Sequence, residues 1–153
     1  MNTDILEALR ELMQSDLVDL KIEGATMHCV LDARYARLAL WFDFDPTAES
    51  IRMYVAVPPP AGAGPEFLVW CLSTNTLYWD VKIGLDAHGM LLVHSDVDLD
   101  QADLTSTAQV LLERVAAIRE LLDDDLVSYL VKHKLGTSAQ LERWIAAAPA
   151  QSS

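Results

Sequence analysis

The sequence predicts one α+β domain in which helices pack on an antiparallel sheet, and three observations favour this class. The chain has 153 residues, 52% of them apolar, which is enough for one core but too little for two. Apolar residues recur with helical spacing near both ends and alternate with the two-residue period of strands in between. Turn-forming residues separate the alternating runs at short intervals. The expected order is α-β-β-β-α-β-β-α-α, with the domain at residues 1–147 and a disordered tail at residues 148–153.

The first third of the chain predicts a helix followed by three strands. Residues 3–13 carry one amphipathic stripe, whose apolar members are Ile5, Leu6, Leu9, Leu12 and Met13. The segments LKIEGATMHCVL, RLALWFDFD and SIRMYVAVP then show partial alternation and are rich in β-branched and aromatic residues. Because the turn signals DARY and DPTAES separate these segments, we expect three successive antiparallel strands.

A connector, PPPAGAG, divides the first strands from the rest of the chain. It excludes regular structure, because proline removes hydrogen-bond donors and glycine loosens the backbone. Pro65 suits the first turn of a helix, and EFLVWCLSTNT after it is so apolar that we expect a mostly buried helix. A hairpin follows, in which two alternating runs lie on either side of a turn bracketed by Asp86 and Gly89.

The last part of the chain predicts a long helix and a short one. Asp100 or Asp103 can cap the long helix. Its apolar stripe, spaced by four, three, four and four residues, consists of Leu111, Val115, Ile118, Leu122 and Leu126. Gly136 fits a helix stop, and the short final helix carries Leu141, Trp144 and Ile145. Three aspartates at 123–125 point in different directions along a helix, which favours a solvated turn or a helix junction over a ligand set.

The charge distribution excludes some classes of partner. The net charge is −12, and the 11 basic residues are scattered, whereas binding to nucleic acid or to a membrane surface needs clustered lysine and arginine. Between Asp86 and Asp125 there are ten acidic residues against Arg114 and Arg119, a net charge of −8. We expect this region to face water or a basic partner. No apolar run is long enough to span a bilayer and no secretory signal is evident at the N-terminus, so we expect a cytoplasmic protein.

An acidic ladder follows the hairpin. Asp96, Asp98 and Asp100 share one face of an extended strand, where they repel one another unless they are solvated or meet a cation. An EF-hand loop starting at Asp96 is ruled out, because Gln101 stands where glycine is needed and Thr107 where glutamate is needed. A solvated sheet edge, a contact for a basic partner and a metal site remain as alternatives, with the solvated edge favoured.

No motif in the sequence carries catalytic chemistry. The four histidines lack metal-ligand spacing, and G-x-S-x-G is absent. Cys29 and Cys71 each lie in an apolar run without C-x-x-C spacing, which indicates two buried free thiols. We therefore expect no catalytic, metal or cofactor site, although an active site assembled from distant residues stays open as an alternative.

Four tryptophans have two interpretations each. Aromatic side chains fill cores and also anchor interfaces between proteins. Trp70 and Trp79 fit the core or a dimer contact, whereas Trp41 and Trp144 also fit an exposed sheet or helix surface.

Two segments of the chain, FLVWCLSTNTLYWDVKIGLDAHGMLLVHSDVDL and TSTAQVLLERVAAIRELL, carry a family pattern. In them a helix ending near asparagine precedes a strand, a D-x-x-G turn, a second strand and an acidic-apolar step into a long helix. Together with the first helix and the strands predicted before these segments, this pattern resembles the type III secretion chaperone-like superfamily over residues 3–131. That superfamily includes the Tir-chaperone type and the related YbjN proteins.

The resemblance implies a small acidic cytoplasmic homodimer that binds proteins and performs no chemistry. Secretion chaperones hold an extended segment of an effector on apolar patches of the sheet and helices, which is consistent with strand addition and side-chain pockets. Two features depart from the pattern: the PPPAGAG connector and the additional helix around Trp144. The competing hypotheses are a YbjN-like regulator that binds another bacterial protein and an uncharacterised enzyme.

Candidate interface residues follow from the predicted strands. For a partner surface we name the middle strands, with Trp41 as the option on the opposite face of the sheet: Leu40, Trp41, Phe42, Met53 and Val55. For a dimer interface we name the second helix and the hairpin, through Trp70, Trp79, Val81 and Ile83. Each of these side chains fits a core position equally well.

Overall fold

The computed structural model describes residues 2–34, 37–137, 139, 142 and 146. It confirms the α+β class, with one antiparallel sheet and helices packed on it. The elements are α1 (Asn2–Met13), β1 (Val18–Glu23), β2 (Thr26–Asp32), β3 (Arg37–Asp45), β4 (Ser50–Val57), α2 (Pro65–Asn75), β5 (Lys82–Leu85), β6 (Leu91–Asp98), α3 (Leu104–Glu120), a π-helical segment (Leu121–Leu126) and α4 (Val127–Lys132). Leu141, Trp144 and Ile145, which the sequence places on a final helix, lie outside the described residues, and so does the predicted tail.

The sheet has six strands in the order β1-β2-β3-β4-β6-β5. Consecutive strands pair as hairpins except at the centre, where β4 pairs with β6 and the chain between them forms α2 and the edge strand β5. The β5–β6 turn forms as predicted: Asp86 accepts backbone N–H groups from His88 at 2.8 Å and Met90 at 3.0 Å. Gly89 has a φ of 79°, which glycine adopts without a steric cost.

The sheet contains one strand more than the sequence pattern predicts before α2. The segment LKIEGATMHCVL is two strands, because Glu23 pairs with Thr26 and leaves Gly24 and Ala25 as a two-residue turn. Gly24 has a φ of 61°, the left-handed region that such hairpin turns require. The extra strand, β1, becomes the edge of the sheet.

The core lies on one face of the sheet. Alternate residues of β2, β3, β4 and β6 point to this face, where α1, α3 and the π segment cover them in one continuous cluster. The stripe predicted for the long helix is buried throughout: Leu111, Val115, Ile118, Leu122 and Leu126. Asp103 provides the cap of α3, since its carboxylate accepts the backbone N–H of Ser106 at 3.1 Å.

A helix junction forms at the three consecutive aspartates, one of the two alternatives that the sequence left open. Asp123 is buried, and its carboxylate accepts the backbone N–H of Arg34, a residue of the β2–β3 turn, at 2.8 Å. Asp124 forms an ion pair with the Arg34 guanidinium at 3.0 Å. The hydroxyl of Tyr78 donates to Asp125. The junction therefore ties the helix layer to the β2–β3 turn and to the segment between α2 and β5.

Asp123→Ala should lower the free energy of unfolding by about 1–3 kcal/mol, because the partly buried N–H of Arg34 loses its acceptor. Asp123→Asn keeps an acceptor oxygen and should cost less. Asp124→Asn is the matched control: it removes a half-exposed ion pair, which contributes below about 1 kcal/mol. Urea denaturation followed by circular dichroism measures all three. Equal losses of stability in Asp123→Ala and Asp124→Asn would show that the hydrogen bond from Arg34 to Asp123 does not anchor the β2–β3 turn.

Candidate functional site

An exposed apolar surface lies on α2 and on the loop that leads from it to β5. We call it the α2 surface and define it by Leu68, Val69, Leu72, Leu77 and Trp79. Val69 is 61% exposed, Leu72 69%, Leu77 76% and Trp79 92%. Monomeric proteins rarely expose several large apolar side chains together, and such patches mark interaction sites.

The α2 surface overturns the expectation of a mostly buried helix. Only Phe67, Cys71 and Thr74 of α2 are buried, because the part of the chain that the structure describes contacts α2 through β5 and α4 and leaves its other side open. Leu68 and Leu72, four residues apart, share the side that remains open. A helix that is apolar all round is fully buried only if neighbours surround it.

The buried side of α2 is held firmly to its surroundings. The Asn75 side chain donates to the carbonyl of Ile83 at 3.0 Å and accepts the Ile83 N–H at 2.7 Å. Trp70 stacks on Tyr129 of α4, with ring centroids 4.6 Å apart. Together with Leu77 and Lys132, these two rings line a groove of about 510 Å³ between α2 and α4. The apolar side chains of the α2 surface are thus presented on a fixed frame.

The four residues named for a dimer divide into two groups. Trp79 is almost fully exposed and Trp70 is half-buried. Val81 and Ile83 point into the core, at 0% and 2% exposure. The alternation of the hairpin predicted that Trp79, Val81 and Ile83 share one face, but it extends back from β5 only to Val81, and Trp79, three residues before the strand, is exposed.

The residues named for a partner surface fall on both faces of the sheet. Leu40, Phe42, Met53 and Val55 are 0% exposed, because α1 and α3 cover their face, so the expectation of a surface position is wrong and the core alternative holds. Trp41 lies on the opposite face and is half-buried. Alternation establishes which residues share a face, but it does not say which face the helices cover.

The opposite face carries an aromatic ridge, which we define as His28, Trp41, Tyr54 and His94. The strand register pairs these residues in sequence from β2 to β6, and Lys82 of β5 follows His94. The rings of His28 and Trp41 lie 4.9 Å apart. Beside the ridge, Ala39 and Ala56 are exposed. We call the face that contains them the open face. Of the ridge, the sequence had indicated only Trp41.

An acidic groove borders the ridge on the open face. It has a volume of about 630 Å³ and is lined by Asp43, Phe44, Asp45, Ala48, Ser50, Arg52, Asp96 and Asp98. Arg52 binds Asp96 through two bonds of 2.8 and 3.1 Å, which lower the pKa of that carboxyl. Burial, together with the charge of Asp43 and a hydrogen bond to it, raises the pKa of the Tyr54 hydroxyl. Asp98 forms no ion pair with any residue that the structure describes.

The three aspartates of the acidic ladder lie in two different environments. Asp96 and Asp98 are exposed on β6, and β5 stops pairing at Lys82 opposite His94, so both carboxylates lie where β6 has a partner strand on one side only. Asp100 lies beyond the strand, where its carboxylate accepts the N–H of Ala102 at 3.0 Å. Two of the three residues therefore occupy a local sheet edge, and the third closes a turn.

The described residues offer little for catalysis. They contain no cluster of three His, Cys, Asp or Glu side chains with metal-binding geometry. Burial raises the pKa of the Cys29 and Cys71 thiols to about 11, which disfavours the nucleophilic thiolate. Among the helices of the described part of the chain, none combines the length and apolar character needed to cross a membrane.

His94 gives the ridge a pH dependence. Burial, with smaller contributions from the positive charges of Arg52 and Lys82, lowers its pKa from the ordinary 6.5. The unfolded chain therefore binds the proton more readily, and stability present above pH 6.5 is lost as the pH falls through the folded-state pKa.

An NMR titration should place the midpoint of the His94 ring below 6.5. Arg52→Gln removes a neighbouring cation and should raise that midpoint. Arg10→Gln, which breaks an ion pair with Glu7 on α1, is the control and should leave it unchanged. A midpoint at or above 6.5 in the unaltered protein would contradict the burial of the imidazole.

Comparison with known proteins finds similarity among solved structures. No family model and no curated protein matches the sequence. The chain is similar to a chain of the HopA1-SchA chaperone-effector complex, with a TM-score of 0.49 and 18% identity over 77% of this chain and 96% of that one. At this level of similarity, what the protein binds has to be inferred from its own surfaces.

Proposed function

We propose that this protein is a non-enzymatic protein-binding domain that forms a homodimer. In its most concrete form, it acts in the cytoplasm as a chaperone that holds an extended segment of a secreted effector. The α2 surface is the observation that carries the proposal. These large apolar side chains are exposed to water on a fixed frame. Another protein that covers them lowers the free energy by about 25 cal/mol per Å² of apolar surface buried.

A second copy of the chain is the proposed occupant of the α2 surface. In a two-fold dimer each subunit contributes the same patch, so Trp79 and Leu72 of one subunit contact the α2 surface of the other. Tryptophan is the residue type most enriched among the anchors of such interfaces. The buried side chains Val81 and Ile83 support this interface from beneath, by fixing β5 against the core.

The chaperone role rests on the sequence resemblance and on the division of surfaces. If α2 is covered by the second copy, the open face of each sheet stays accessible to another protein. Trp41 is then part of the partner surface, because it lies on the open face, whereas the other four candidates for that surface lie in the core. A dimer has two such faces, which suits a long segment that passes from one subunit to the other.

A double variant, Leu72→Ser with Trp79→Ser, should convert the dimer to a monomer, because it removes the only tryptophan of the α2 surface and a leucine that is 69% exposed, with little effect on the core. Size-exclusion chromatography with light scattering measures the mass. Leu12→Ser, at a 40% exposed leucine on α1, is the matched control and should remain dimeric. A monomeric unaltered protein, or an unchanged double variant, would contradict the proposed interface.

Affinity capture of the tagged protein from its native host should recover one secreted protein in near-stoichiometric amount. Limited proteolysis of that complex should leave a short segment of the partner protected, because an extended client contacts the chaperone along a limited stretch. Mass spectrometry identifies both. Recovery of the domain alone, under conditions that preserve weak complexes, would rule out a dedicated chaperone and favour a regulator with a transient partner.

A further inference from the structure

We propose that the open face recognises a partner segment of defined chemistry: an extended stretch with an apolar end and a basic end. The apolar end lies on Ala39 and Ala56, and the basic end lies in the acidic groove next to Asp43 and Asp98. This inference rests on the proposed function, since it names what the accessible face of the sheet would bind.

The apolar end of the site consists of small side chains. Ala39 and Ala56, whose side chains end at Cβ, are exposed on β3 and β4, each two positions beyond the last pair that these strands form. Val30 pairs with Ala39 on one side, and Leu92 pairs with Ala56 on the other. These larger side chains, with the ridge along a third side, would leave a shallow depression over the two alanines. A depression one row of residues wide is about 7 Å across, which suits one extended chain better than a helix with a diameter of about 10–12 Å.

The basic end of the site follows from the charges in the groove. Four of its lining residues are aspartates, and its one arginine, Arg52, is already paired with Asp96. Asp98 has no such partner among the described residues, and Asp43 binds a neutral tyrosine hydroxyl. A lysine or arginine from a partner would restore charge balance there.

The ridge joins the two ends. Along β4, Ala56 is separated from Ser50 in the groove by six residues, so the two ends lie about 20 Å apart, and about six extended residues cover that distance. The segment has to cross Trp41 and Tyr54 on its way. Aromatic faces attract a guanidinium group as well as apolar side chains, so the crossing suits both parts of the segment.

The probe is a fluorescein-labelled peptide of about ten residues, with leucines at one end, arginines at the other and a glycine-serine spacer long enough for the ~20 Å span. One control peptide replaces the arginines with glutamates, and a second replaces the leucines with serines. Fluorescence anisotropy against the full-length protein gives the dissociation constants. We expect the probe to bind more tightly than either control, and its affinity to fall as salt is added.

Two protein variants test the position of the site. Ala56→Gln fills the depression and should weaken the probe about tenfold, and Asp98→Lys reverses a charge in the groove and should weaken it about fivefold or more. Ala116→Gln and Glu113→Lys are the matched controls, since both residues are exposed on α3, in the other layer. They should leave the affinity unchanged.

Three results would overturn the inference. Equal binding of the arginine and glutamate peptides would show that the site does not select a basic segment. Binding that survives Ala56→Gln but is lost in the Leu72→Ser and Trp79→Ser variant would place the peptide on the α2 surface and leave the protein-binding function intact. A dimer that Ala56→Gln converts to a monomer would show that the open face is an interface between copies.

Discussion

The covering of one face of the sheet by one layer of helices is the constraint on which the rest of this structure depends. Six strands present two faces, and α1, α3 and the π segment cover one of them. Side chains on that face, such as Phe42 and Met53, are removed from water and define the register of every strand. Their neighbours one position along the chain, Trp41 and Tyr54, are consequently aligned on the other face.

The same constraint places α2 in an unusual position. Phe67 and Cys71 of α2 join the edge of the core, and α2 lies beside the last strand, held there by the bonds between Asn75 and Ile83 and by the stack of Trp70 on Tyr129. It cannot bury all of its apolar residues at that position. Two surfaces of different character result: an apolar one on α2, and an aromatic and acidic one on the sheet. The first suits a contact with an identical copy, whereas the second suits a partner with complementary charge.

Local chemistry explains which parts of the fold could be predicted from the sequence. The α3 stripe and the Asp86–Gly89 turn depend on residues close together in the chain, and both form as expected. Gly24 marks a turn by the same chemistry, but partial alternation on both sides of it predicts one strand where the structure has two. A glycine inside a strand pattern is itself a turn or bulge signal.

The candidate site was harder to predict, because exposure depends on contacts between distant elements. Nothing in the alternation of β3 says that Leu40 lies under a helix while Trp41 faces outward. The pairing of β4 with β6, which brings Tyr54 next to His94 and Arg52 next to Asp96, joins residues about 40 positions apart. Likewise, the apolar composition of α2 predicts burial, and only its place at the edge of the sheet explains why Leu72 is exposed.

The π segment has a consequence for the direction in which the last helix points. An α-helix turns by about 100° per residue, and a π turn accommodates one residue more than an α turn, so the side chains after it are rotated relative to a continuous α-helix. α3 uses its stripe to cover the sheet, whereas α4 offers Tyr129 to Phe67 and Trp70 of α2. The side chains that face the sheet and the side chain that faces α2 therefore point in different directions around one helical axis. The extra residue supplies the phase shift, and it lets a single long helix serve both the sheet and the helix at its edge.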